Sequence, residues 1–168
     1  MTVDEAILWF ESLPPASEEE MLGHWRGEDV TTDHPMDGLL AASYWHGKRF
    51  EGAEAVYPLI HDLPLWGRRA LNPRFMPVRL LMSLPARGVL LRVAMPILAP
   101  AFFTKAPRAR LRTVQFRGRA HAAMCYDDKP IHDVFTRIDE HSVLGWMDFK
   151  GMAQPYFFKL TREGAANP

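Results

Sequence analysis

Apolar positions near the N-terminus of this chain recur at helical spacing, and those near the C-terminus alternate. Thr2 followed by Glu5 is a capping-box pattern, and Ile7, Leu8, Trp9 and Phe10 supply an apolar side. A first helix is therefore predicted, ended by Leu13-Pro14-Pro15. Ser17 and Glu20 form a second box, which predicts a short helix that stops near Gly23. His34-Pro35 opens a predicted third helix, with Met36, Leu39, Leu40, Ser43 and Tyr44 along one side and Gly47 as its terminator. Residues 56–63 are apolar and fit either helix or strand.

The last third reads as antiparallel sheet. Residues 110–117, 119–127, 131–138, 143–149 and 156–161 are predicted strands. Asp127-Asp128-Lys129-Pro130 and Asp139-Glu140-His141-Ser142 are turn signals between them. In the second strand Ala120, Ala122, Met124 and Tyr126 face one way, and His121, Ala123 and Cys125 the other. Tyr156-Phe157-Phe158 is apolar on both faces, so one face meets the interior and the other a helix or another subunit. Short strands at this spacing are the pattern of a sandwich or a barrel.

Length and composition bound the rest. A chain of 168 residues suits one domain, and 48% apolar with 24% charged residues is ordinary for a globular protein with a core. A single cysteine, Cys125, excludes a disulfide framework, zinc ribbons and cysteine-ligated iron–sulfur sites. The acidic first twenty residues are the opposite of a secretory or mitochondrial leader, so the expected location is cytoplasmic.

Net charge is zero, but it is unevenly spread. Residues 1–64, the helical and Gly-x-Trp-x-Gly segment, hold 3 bases and 13 acids. Residues 65–107 form a basic, apolar connecting segment, and 108–163 the meander that completes one structural domain. Across 65–119 there are 12 bases and no acid. Either this stretch folds against the acidic N-terminal block, or it presents a positive face to an anionic partner. The apolar run from 80 to 103, interrupted by Arg87, Arg92 and prolines, is too short between charges to cross a bilayer. It suits a lid over a greasy cavity, peripheral contact with an anionic membrane, or a core-packing helix followed by a loop. Nucleic acid is not expected, because the bases lack interleaved aromatic residues and no binding motif is present.

Two segments carry candidate chemistry. In Gly23-His24-Trp25-Arg26-Gly27 the glycines allow tight backbone at the entrance to a strand, and the tryptophan either plugs a barrel end or is an ordinary core residue. In 124–135 and the residues beyond, period two places Ile131, Asp133, Phe135 and Arg137 on one face. If that face points inward, Asp133 and Arg137 need each other or a ligand; if outward, they are a surface pair.

Gly23-His24-Trp25-Arg26-Gly27, with Leu39-Leu40 and Trp45-His46-Gly47-Lys48-Arg49-Phe50, resembles the GXWXG-motif family. Its C-terminal partner, a domain of unknown function, is resembled by Arg108-Ala109-Arg110-Leu111-Arg112, Arg117-Gly118, Met124-Cys125-Tyr126-Asp127, Pro130-Ile131 and Asp133-Val134-Phe135. Gly145-Trp146-Met147-Asp148 and Tyr156-Phe157-Phe158-Lys159-Leu160 extend it, so that it covers residues 20–162. Cys125 stands where the family more often has an aliphatic residue, and Thr136 where arginine is common, which argues against Cys125 as a shared catalytic group. The leading Gly-x-Trp and the final basic strand are also similar to the calycin barrels. That likeness implies a Trp25 packed across the closed end near Arg162 or Lys159, and a cavity for a small apolar ligand.

The expected architecture is thus mainly β (α+β): an antiparallel calycin-like barrel with an N-terminal helical segment. Its expected role is binding of a small hydrophobic or amphipathic ligand, such as an anionic phospholipid or fatty acid. The expected ligand-binding residues are Trp25, Met124, Tyr126, Asp133, Phe135, Arg137, Trp146 and Phe158. No metal or cofactor is expected: no His-x-x-x-His pair is present, although haem held by a histidine is an alternative. An enzyme acting on a small apolar substrate through Tyr126, Asp127 or Asp133 and a histidine is a second reading. Cys125 and His121 lie about 13 Å apart along one strand, too far for a nucleophile–base pair, while His132 is nearer across the hairpin. A homodimer through the doubly apolar strand 156–160 is a third.

Overall fold

The computed structural model describes residues 1–76 and 87–164. Residues 77–86 of the basic, apolar segment lie outside the described residues.

Helix α1 (Val3–Ser12) begins with the Thr2/Glu5 capping box and α2 (Glu18–Met21) with the Ser17/Glu20 box. Strand β1 (Gly23–Asp29) follows, then the single turn α3 (Leu39–Ala42), β2 (Trp45–Gly52), β3 (Ala55–Leu63) and β4 (Gly67–Ala70). Helix α4 (Arg87–Leu98) leads to β5 (Ala109–Phe116), β6 (Arg119–Tyr126), β7 (Ile131–Arg137), β8 (Ser142–Phe149) and β9 (Tyr156–Arg162). The sheet runs β2-β1-β9-β8-β7-β6-β5-β3, and the additional β2–β3 pairing closes it into an eight-stranded antiparallel barrel, with β4 added on the far half of β3.

The front third corrects one expectation. It contributes three barrel strands, and the helix expected after His34-Pro35 shrinks to α3. Tyr44 adopts a left-handed φ of 62° and ends that turn, and Gly47 lies inside β2 rather than capping a helix. A Cβ on Gly47 would collide with the Trp25 carbonyl, so glycine there lets β1 and β2 close up.

The ring has two narrow joints. β3 meets β5 through the Val56–Ala109 pair, because the rest of β3 pairs with β4. β6 and β7 pair only around Ala123–Val134, and residues 14–16 fill the gap beyond. There the Ala16 amide donates to the Phe135 carbonyl, and the Ala122 amide donates to that of Ala16.

Two apolar clusters follow from the alternation. One fills the barrel, with Leu111, Met124, Phe135, Met147, Tyr156 and Phe158 among its members. The other lies outside it, where Ala6 and Phe10 of α1 cover Ala123, Val134, Leu144, Trp146 and Phe157. This explains the doubly apolar β9: Phe158 points inward, while Phe157 lies under α1 of the same chain.

The charge blocks partly neutralise each other. Arg112 pairs with Glu54 and Arg117 with Glu11, while Arg110 bonds Asp127 at 3.0 Å across the β5–β6 ladder.

Candidate functional site

Strand direction gives the barrel two different ends. At one end lie the start of β1 and the end of β9, held by the motif that the sequence singled out. The Arg162 guanidinium sits 4.4 Å from the Trp25 ring centroid and donates to the Leu22 and Glu20 carbonyls. The Trp25 indole N–H donates to the Met21 carbonyl at 2.8 Å, so α2 and Trp25 together seal this end. Arg162, not Lys159, is the basic partner; Lys159 pairs with Glu28. A Cβ on Gly27 would overlap the Trp45 ring, which occupies its place. The motif therefore closes one end and seats Trp45, which lines the interior.

At the other end α3 and α4 lie over the mouth. An apolar pocket of about 100 Å³ opens there, walled by Met36, Leu39, Leu59, Leu91, Ile131 and Met147 among others. Its polar lining includes His61 with Ser43, whose Oγ lies 3.4 Å from His61 Nε2, and Lys129, whose ammonium donates to the Met76 carbonyl at 3.1 Å. Burial pushes His61 down to about 4, so its ring is neutral at pH 7. Tyr126 belongs to this pocket and also to a deeper void of about 30 Å³, where Met36, Leu40, Leu59 and Met147 recur. That void is large enough for a water molecule.

The deeper void is floored by a buried ion pair. Lys48 Nζ lies 2.7 Å from Asp133 Oδ2, and the two side chains are 3% and 1% exposed. The ammonium is surrounded by rings, 4.9 Å from the Phe158 centroid, 5.5 Å from Trp45 and 5.7 Å from Tyr126. It also donates to the Pro58 carbonyl at 3.4 Å. Burial lowers the Lys48 pKa and raises that of Asp133; each charge opposes the shift of the other. Burial likewise raises the Tyr126 phenol, so it stays protonated. Asp133 Oδ1 is buried with no hydrogen-bond partner among the described residues.

Of the residues expected from sequence, Tyr126, Asp133 and Phe158 meet at this void. Met124 and Phe135 pack inside the barrel without lining it, Phe135 against Phe158, and Trp25 seals the far end. Two are placed elsewhere. Trp146 has the parity of Leu144 on β8 and lies on the outer face under Phe10. Arg137 shares the parity of Asp133 but emerges at the sealed end, where it is exposed and pairs with Glu20. The partner of Asp133 is thus Lys48, which sequence reasoning missed. Its signal was Phe50 two residues on: read as a strand, the segment puts a lysine on an inward face.

Other chemistry is dispersed. Cys125 stands opposite His132 in the β6–β7 ladder, but burial raises its pKa, which disfavours the thiolate. His121 faces outward, stacks on Phe10 and donates from Nδ1 to the Phe135 carbonyl. Among the described residues no cluster of His, Cys, Asp and Glu could hold a metal ion, and no helix is long and apolar enough to cross a membrane.

Comparison with known proteins adds the following. A family model described as "GXWXG protein" matches residues 8–62, and one described as "Domain of unknown function (DUF4334)" matches residues 107–162. A crystal structure of a protein from Thermomonospora curvata is similar over 95% of this chain and 86% of its own, with 30% identity and a TM-score of 0.71. No curated protein matches the sequence.

Proposed function

Since the chain belongs to the GXWXG family and carries the DUF4334 domain as its C-terminal partner, we propose that its barrel binds a small, neutral, mostly apolar molecule with one polar end. The observation that carries this reading is the unpartnered Asp133 Oδ1 beside Lys48, in a void that shares Met36, Leu40, Leu59, Tyr126 and Met147 with the neighbouring apolar pocket.

A buried carboxylate oxygen without a donor is costly, and a ligand hydroxyl reaching the void would satisfy it. The apolar pocket would take the rest of the molecule, driven by removal of apolar surface from water. Lys48 and Asp133 already balance in charge. A carboxylate brought beside them would leave one net negative charge in a low-dielectric interior, so the anionic fatty acid considered from sequence fits this floor less well than an alcohol.

The volume bounds the size. Ligand pockets for drug-sized molecules span about 300–1,000 Å³, so this pocket fits a short-chain or single-ring compound. Calorimetric titration with 1-hexanol and with hexanoate is the test. The alcohol is expected to bind and the carboxylate to bind far more weakly at pH 7; equal affinity, or binding of neither, refutes the reading.

A further inference from the structure

We propose that the outer face of α4, with Leu65 and Trp66 beside it, docks on a phospholipid bilayer that carries anionic headgroups. The helix is apolar on both sides. Leu91 and Met95, one turn apart, are buried over the barrel mouth. Val89, Val93 and Ile97, also one turn apart, are 70%, 64% and 71% exposed. Nothing among the described residues covers them.

The face continues onto the β3–β4 turn. The Trp66 indole N–H donates to the Pro96 carbonyl at 2.9 Å, which fixes Trp66 and Leu65 beside the C-terminal end of α4. Trp66 is 43% and Leu65 73% exposed. A tethered, half-exposed tryptophan at the rim of an apolar strip suits the boundary between headgroups and acyl chains.

Charge selects the occupant. Residues 65–119 contain no acid. Arg69 lies 6.0 Å from the Phe103 ring, which also packs on Trp66, and Arg92 projects from α4 itself. A cleft of about 270 Å³ beside β4 is lined by Arg49, Arg68, Arg69 and Lys105, with Glu163 its only carboxylate among the described residues. Arg68 is engaged by Glu163 and Asp62 and Arg49 by Glu51, whereas Arg69 and Lys105 have no carboxylate partner among the described residues. A second copy meeting this face symmetrically would set these cations against themselves. Anionic headgroups neutralise them while the acyl region takes the apolar strip.

This surface is outside the barrel and does not rest on the proposed ligand. The test is co-sedimentation of the full chain with vesicles of phosphatidylcholine alone and of phosphatidylcholine mixed with phosphatidylglycerol. The protein is expected to pellet with the mixed vesicles, and less so as salt rises. Val93→Ser with Ile97→Ser should lower binding by about tenfold or more. Arg69→Ala with Lys105→Ala should remove the preference for the anionic lipid, again about tenfold. Both pairs are outside the core, and unchanged thermal midpoints check that the fold is kept. Three results overturn the proposal: no pelleting with either vesicle, a serine variant that pellets like the parent, or a lipid-free dimer that only the serine variant dissociates. Hexanol binding in the barrel is read separately, so either reading can fail alone.

Discussion

Lys48 Nζ and Asp133 Oδ2 lie 2.7 Å apart inside an otherwise apolar barrel, on strands that are not neighbours in the sheet. Neither charge reaches solvent, so each side chain depends on the other. Lys48→Met or Asp133→Leu alone leaves an uncompensated buried charge and should cost about 3–5 kcal/mol. The double variant should cost much less than the sum, because it removes both charges together. Urea unfolding of the four proteins measures this coupling; additive losses would contradict it.

The place of Trp45 over Gly27 makes a second prediction. Gly27→Val should destabilise by about 1–3 kcal/mol, since the new side chain and the indole claim the same space. In a Trp45→Leu background the same substitution should cost clearly less. Denaturant midpoints of the pair of backgrounds decide it.

Burial of His61 predicts a pH dependence. Its folded pKa is about 4 against an ordinary 6.5, so the unfolded chain binds the extra proton between these values. The stability it contributes is complete above 6.5 and is lost as pH falls toward 4, by up to about 1.4 kcal/mol per pH unit. His34 and His121 are also lowered by burial, and they titrate in both proteins. His61→Leu should therefore show a shallower fall than the parent when unfolding is followed from pH 7 to pH 4; parallel curves would refute the assignment.

Much of this architecture was legible in the sequence, for physical reasons. Both capping boxes form as the Thr2/Glu5 and Ser17/Glu20 spacings require, because their bonds are local. The five C-terminal strands alternate over short turns, and their register is set by the same period. Of the front strands, β1 was signalled by the glycines of its motif and β3 was left open between helix and strand, while β2 was hidden because what holds it is distant. Gly47 sits in a strand for the sake of the Trp25 carbonyl, and helical spacing over 36–44 yielded to a left-handed Tyr44. The site was half visible for the same reason. Parity put Asp133 on one face with Ile131 and Phe135 but left open which way that face points, and its lysine lies 85 positions earlier, just past the Gly47 expected to end a helix.

The sealed end supplies a fourth prediction. Arg162 covers Trp25 and donates to two carbonyls of the α2 region, so Arg162→Ala should destabilise by about 1–3 kcal/mol. Arg162→Lys should not restore it, since an ammonium cannot stack flat while bridging both oxygens. Thermal unfolding with Trp fluorescence reports the loss and the new exposure of Trp25.

The ligand account is tested most directly at the methionine methyls that wall the pocket. With methyl-labelled methionine, 1-hexanol should shift Met36 and Met147 while leaving Met21 at the sealed end unmoved. Hexanoate at the same concentration and pH 7 should shift neither. If no pocket methyl responds to the alcohol, or if the carboxylate moves the same signals equally, the barrel does not hold a neutral guest above Lys48 and Asp133.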